Sequence, residues 1–109
     1  MKTSELQGAA LDWAVAKCEG NMGHKLKDFW LVHMEDPVLQ YSINWAQGGP
    51  IIEREGINLT VGLSIYDWWA VDDGGAGSKA NGPTPLIAAM RCYVASKLGE
   101  EVEIPEDLK

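Results

Sequence analysis

The sequence is short of nearly everything that announces a chemistry. It holds 2 cysteines and 2 histidines in 109 residues. Cys18 and Cys92 lie far apart in no C-x-x-C spacing, which excludes zinc-ribbon and thioredoxin-like sites and leaves two core thiols in a reducing compartment as the expectation. His24 follows a glycine and precedes a lysine, and His33 sits in an apolar run. Neither has a second ligand at metal-binding spacing, so no metal site and no cofactor are expected. Cations are scarce as well. Nine Lys and Arg face 16 Asp and Glu for a net charge of -7, a field that repels double-stranded nucleic acid and anionic membrane surfaces. The carboxylates are scattered, with a concentration in the C-terminal tail, rather than arrayed as a DNA mimic. No apolar run approaches the ~20 residues of a membrane span, and no charged segment leads into a signal-like apolar core. A cytoplasmic location is therefore expected.

Catalytic signatures are missing too. The stretch Asp72 to Gly82 is rich in glycine and is expected to be a loop. It lacks G-x-x-x-x-G-K-[ST], because Lys79 follows Ser78 and precedes Ala80, and Asp72-Asp73 lacks the calcium-loop spacing. No nucleophile and base stand in a recognisable pairing, so no catalytic residues are assigned and an enzyme is not expected.

What remains describes a folded domain. Hydrophobic residues make up 46% and charged residues 23%, outside the apolar-poor composition of disorder, and residues 1–109 suit a single domain. Leu6 to Glu19 reads as a first helix, with Leu11, Ala14, Val15 and Cys18 on one stripe. Its start is either a capping box of Ser4 and Gln7 or a later entry with Leu6 as staple. Asp28 to Met34 reads as a strand covered on both faces.

From Ile57 to Ile65 apolar residues alternate with Asn58, Thr60, Gly62 and Ser64, the clearest strand signal in the chain. Gly62 marks a bulge or a turn that splits the run into a hairpin. Trp68 and Trp69 continue as strand or as its partner, one indole inward and one outward. Thr84 as N-cap, Pro85 at the first helical position and Gly99 as stop bound a last helix. Its buried stripe is expected at Ile87, Met90, Val94 and Leu98, with Arg91 on the margin, either reaching for solvent or placed to meet an anion. Val102 and Ile104 alternate as a short edge strand would. The fold class is α+β, a small antiparallel sheet of three or four strands packed by the N-terminal and C-terminal helices.

The chain is organised around Asn44 to Gly56. Tyr41, Asn44, Trp45 and Gln47 place two aromatic faces and two amides ahead of Gly48-Gly49, and this stretch is expected to be a loop on a glycine hinge. Aromatic planes and amides suit a flat polar ligand, while buried aromatics pinning a long loop are the plainer reading. Pro50 to Glu55 is a short helix stopped by Gly56, or else a strand. Arg54 is either part of an exposed charge cluster or a fork for a phosphate.

Leu11-Asp12-Trp13-Ala14-Val15-Ala16, Trp45 to Glu55 and Thr84 to Ala95 resemble the NinX family of phage and prophage proteins. The resemblance covers nearly the whole chain and is weakest from Met22 to Tyr41 and from Leu63 to Asn81. It implies a small accessory protein of temperate phages of enteric bacteria, acting in the host cytoplasm, and carries over no catalytic residue. Two functions follow as expectations. One is a non-catalytic binding module for a small anionic, nucleotide-like ligand, sequestering a host defence signal. Tyr41, Trp45 and Trp68 or Trp69 would stack, Asn44 and Gln47 would read edges beside Gly48 and Gly49, and Arg54 or Arg91 would meet phosphate. The other is an inhibitor or adaptor that binds a host or phage protein. In either case a homodimer is plausible, from two slim helices and an exposed aromatic strand.

Overall fold

The computed structural model describes residues 1–19, 40–64, 66–72, 77–104 and 108. The expected strand at 28–34 and both histidines lie outside them. Among the described residues three α-helices, α1 (Gly8–Cys18), α2 (Trp45–Glu55) and α3 (Pro85–Leu98), accompany three strands, β1 (Ile57–Val61), β2 (Trp68–Asp72) and β3 (Lys79–Gly82). The strands form an antiparallel meander in the order β1-β2-β3. The fold is α+β with helices flanking the sheet.

Helix α3 is the centre. Thr84 Oγ1 accepts the Ile87 N–H at 3.1 Å, Pro85 opens the first turn and Gly99 follows the last, as the local signals dictate. The stripe expected on it is too narrow. Ile87 and Leu98 are half-buried, while every residue from Ala88 to Val94 is buried, because α3 packs on all three strands and also on α1 and α2. A helix covered all round shows no amphipathic period. Helix α1 is similar, buried continuously from Ala10 to Ala16. That run includes Asp12, whose Oδ1 accepts the Ser42 backbone N–H at 2.7 Å and so ties the turn before α2 to α1. Burial pushes the Asp12 carboxyl above its ordinary value, and the Ser42 hydrogen bonds offset part of the rise. The start of α1 is the later one. Ser4 lies in a 3-10 turn, and Gln7 caps the helix without a side-chain hydrogen bond.

The expected loop at Trp45 to Gly49 is helical. Asn44 is the N-cap, its Oδ1 accepting from Ala46 N at 2.9 Å, so α2 starts five residues before Pro50 and that proline lies inside it. Neither the glycine hinge nor a strand at Pro50 to Glu55 exists. Gly48 is needed for contact rather than motion: a Cβ there would fall 2.6 Å from both Leu86 Cδ1 and Tyr41 O. Gly56, at φ 66°, ends the helix.

In the sheet, Gly62 is the turn that splits the alternating run, with Gly62 N donating to Asp67 O. Val61 pairs with Trp68 and Thr60 with Trp69. Trp68 therefore faces the core, half-buried, and Trp69 faces out, 41% exposed. The expected loop ends at Ser78, since Lys79 to Gly82 form β3. Those four residues have little strand propensity, and pairing with β2 under the cover of α3 overrides it. Among the described residues the tail makes one antiparallel bridge, Lys2 with Glu101, rather than an edge strand. Met1 and Val102 exchange backbone hydrogen bonds of 3.0 and 2.9 Å, and Val102 and Ile104 are buried.

Contacts fix the direction of each element. Gly82 abuts Ile87 and Ala88, and Ser78 O accepts from Cys92 Sγ at 3.3 Å, so α3 runs back along β3. Helix α2 runs parallel to α3, with Gly48 at Leu86 and Arg54 at Tyr93. The start of α2, the β1–β2 hairpin and the start of α3 thus share one end of the molecule.

The tight approach at Gly48 gives a contrast that urea unfolding can measure. Gly48→Ala should destabilise by about 1–3 kcal/mol through overpacking. Gly49→Ala, whose new carbon meets nothing nearer than Trp45 Cε3 at 3.9 Å, should stabilise by about 0.5–1 kcal/mol through helix propensity. Equal effects at both positions would show that α2 does not pack on α3 in this way.

Candidate functional site

The side chains singled out by sequence do not converge. Asn44 is spent on capping α2, and Gln47 Oε1 accepts the Gln40 N–H at 2.6 Å, which closes the turn ahead of that helix. Tyr41 is buried, and Gly48 and Gly49 lie in helical backbone. Trp45 is 52% exposed at the start of α2, Trp69 is on the outer face of the sheet and Trp68 on the inner one.

Arg54 lies at the far end of α2 in a network of charges. Its Nη1 and Nη2 donate to Glu19 Oε1 and Oε2 at 3.1 and 2.6 Å, and its Nε donates to Glu55 Oε2 at 2.9 Å. Tyr93 Oη donates to Glu19 Oε2 at 2.5 Å, and Lys97 Nζ is 3.3 Å from Glu55 Oε1. The Arg54 hydrogen bonds, reinforced by Tyr93, hold the Glu19 carboxyl below its usual range. Arg54 also holds Glu55 down. Burial pushes the Cys18 thiol up to about 12, the adjacent Glu19 adding to the rise, so it is protonated and inert. This network clasps the ends of α1, α2 and α3, and its fork is already filled by carboxylate.

Arg91 is different. It projects from the middle of α3, 9% exposed. Its Nε donates to Leu6 O at 2.7 Å and its Nη1 to Asn81 O at 2.9 Å. Both acceptors are neutral carbonyls, and no carboxylate within salt-bridge distance neutralises it among the described residues. Burial alone lowers its pKa, far from enough to discharge a guanidinium. A buried charge without a counter-charge is expensive.

Arg91 lines a cavity of about 290 Å³. The chain's first residues, β3, α3 and the tail enclose it, contributing Lys2, Thr3 and Ser4, Lys79, and Glu100 and Glu101 beside Arg91. Thr3 Oγ1 already donates to Gly99 O at 2.7 Å, which fixes the wall next to the guanidinium. Three cations therefore meet here in a chain of net charge -7, with two glutamates at the same wall. Among the described residues no aromatic lines the space. Among the described residues no group of three or more His, Cys, Asp or Glu could hold a metal ion, and no helix is long and apolar enough to cross a membrane.

Sequence reasoning reached Arg91 but not Lys2, Thr3, Ser4 or Lys79. A lysine second in the chain and another ending a glycine-rich stretch carry no local signal. Only the Lys2–Glu101 bridge and the β2–β3 pairing bring them to Arg91. A family model described as Bacteriophage P22, NinX matches residues 2–97, and the chain belongs to that family. No protein of curated description matches it.

The Glu19 network sets a pH dependence with a definite sign. Because the folded-state pKa of Glu19 is depressed, its contribution is present above the unfolded value of about 4.3. It is lost as pH falls through the lower folded value. The stability difference between the native chain and Glu19→Gln should be roughly 1 kcal/mol or less at neutral pH, the scale of partly exposed pairs. It should shrink towards zero in acid. A difference that is constant with pH in chemical denaturation would contradict this role.

Proposed function

We propose that this member of the NinX family is a non-catalytic binding module for a small anionic ligand, seated in the Arg91 cavity. The observation that carries the reading is the buried Arg91 guanidinium, held among the described residues by two backbone carbonyls and facing a space shared with Lys2 and Lys79 as well as Glu100 and Glu101. A guanidinium fixed in this way is preorganised, so an arriving anion gains its charge without having to order its partner. The anion also relieves a burial cost that the chain otherwise bears alone. The cavity is at the small end of ligand pockets, which span about 300–1,000 Å³. That size suits a phosphate or carboxylate group on a compact metabolite. With no aromatic in the lining among the described residues, charge and hydrogen bonds do the holding rather than base stacking. A nucleotide-like ligand would seat its phosphate there. In a phage accessory protein such a site would serve to withhold a small host signal in the host cytoplasm.

Isothermal titration calorimetry with inorganic phosphate and with a nucleoside monophosphate tests this directly. Both should bind saturably and with an affinity that falls as salt rises. Lys2→Ala and Lys79→Ala remove exposed side chains and leave the fold in place. Each should weaken binding about two- to five-fold, the scale of exposed ion pairs. Absence of binding by either probe at millimolar concentration, or binding that both substitutions leave unchanged, would refute the assignment.

A further inference from the structure

We infer that the neutral, apolar end of the molecule, at the starts of α2 and α3 and the tip of the β1–β2 hairpin, is the contact surface of a homodimer. The three segments that build it, residues 40–52, 56–66 and 80–90, contain none of the chain's 9 Lys and Arg or 16 Asp and Glu. Asp67 is the only carboxylate of the hairpin turn, and it accepts a hydrogen bond from Asn81 Nδ2 at 3.3 Å. The same end exposes large apolar side chains: Leu63 at 101%, Tyr66 at 74%, Ile43 at 65%, Trp45 at 52% and Val61 at 49%, with Trp69 at its margin. Depletion of charge with enrichment of aromatic residues is the composition of an interface centre, and exposed apolar groups gathered in one place mark an association surface.

The charge distribution selects the occupant. Two copies of net charge -7 repel one another wherever their charged faces meet. Among the described residues Asp67 is the one carboxylate of this end, so here two copies oppose fewer like charges than on their charged faces, and a strongly basic partner would find little there to pair with. Area agrees. Aromatic side chains offer roughly 150–250 Å² each. The exposed fractions of Tyr66, Trp45 and Trp69 then amount to on the order of 300 Å² per copy, and Leu63, Ile43 and Val61 add to it, towards the about 800 Å² per partner of a standard-size interface. A two-fold axis through the hairpin tips would set Leu63 and Tyr66 of one copy against those of the other, a closed and self-complementary contact.

Sedimentation equilibrium of the full chain at 1–100 μM, concentrations taken as an order-of-magnitude range for a standard-size interface, tests this. A dimer of the 11.9 kDa chain is expected, tightening as salt screens the remaining repulsion. Leu63 is fully exposed, so Leu63→Glu leaves the fold intact and should give a monomer, with Tyr66→Glu doing the same. The far-ultraviolet circular dichroism of both variants should match that of the native chain. A native chain that is monomeric throughout, or a dimer that both substitutions leave unchanged, overturns the proposal. A monomer that binds another protein through Leu63 would also overturn it, in favour of a different partner. The Lys2 and Lys79 variants should dimerise normally, which separates this result from the anion site.

Discussion

A helix covered by a sheet and two other helices leaves a long charged side chain little contact with solvent. Arg91 is in that position, halfway along α3, with the sheet on one side and the other two helices across it. Its guanidinium is satisfied by backbone carbonyls instead, one from the segment before α1 and one from β3. Those two hydrogen bonds join three parts of the chain that lie apart in sequence. They also fix the cation at the wall of a cavity. The small residues of α1 and α3, the missing side chain at Gly48 and the close approach of Gly82 all follow from burying α3 so completely.

Local chemistry was legible where it acted alone. Thr84, Pro85 and Gly99 mark α3 from cap to stop because a threonine cap and a first-turn proline act within a few residues of themselves. The alternation from Ile57 and the turn at Gly62 were equally readable, since a hairpin folds on its own pattern. The stretch from Trp45 to Gly49 was misleading. Two glycines and a proline are poor helix formers, yet Asn44 caps the helix and Ile51 is buried in the core. Packing against Leu86 outweighs propensity. Strand β3 is the same case with the other kind of structure, as Lys79 to Gly82 are held by β2 and α3 rather than by their own preference.

The site was less legible than the fold, for a physical reason. Arg91 was identifiable as an arginine at the edge of an apolar stripe, but its hydrogen-bond partner Leu6 is 85 residues away. The lysines beside it, Lys2 and Lys79, come from the first residues and from β3, far apart in sequence. The aromatic and amide residues that formed a plausible ligand loop on paper are divided between the core, a helix cap and an exposed end. Charge follows the same division. The clasp of Glu19 and Arg54 lies at the far end of α2, while residues 40–52, 56–66 and 80–90 carry no charged side chain.

The claim on which the functional account turns is that Arg91 is a buried cation poised to take an anion. The most direct measurement is the side-chain Nε–H resonance of Arg91 in a proton–nitrogen correlation spectrum, followed as inorganic phosphate is added. Its hydrogen bond to Leu6 O should keep it slow to exchange and therefore visible. The account predicts a saturable shift of that resonance together with the amides of Thr3, Ser4 and Lys79. Saturation of those amides with no change at Arg91, or no saturable change anywhere around the cavity, would contradict it.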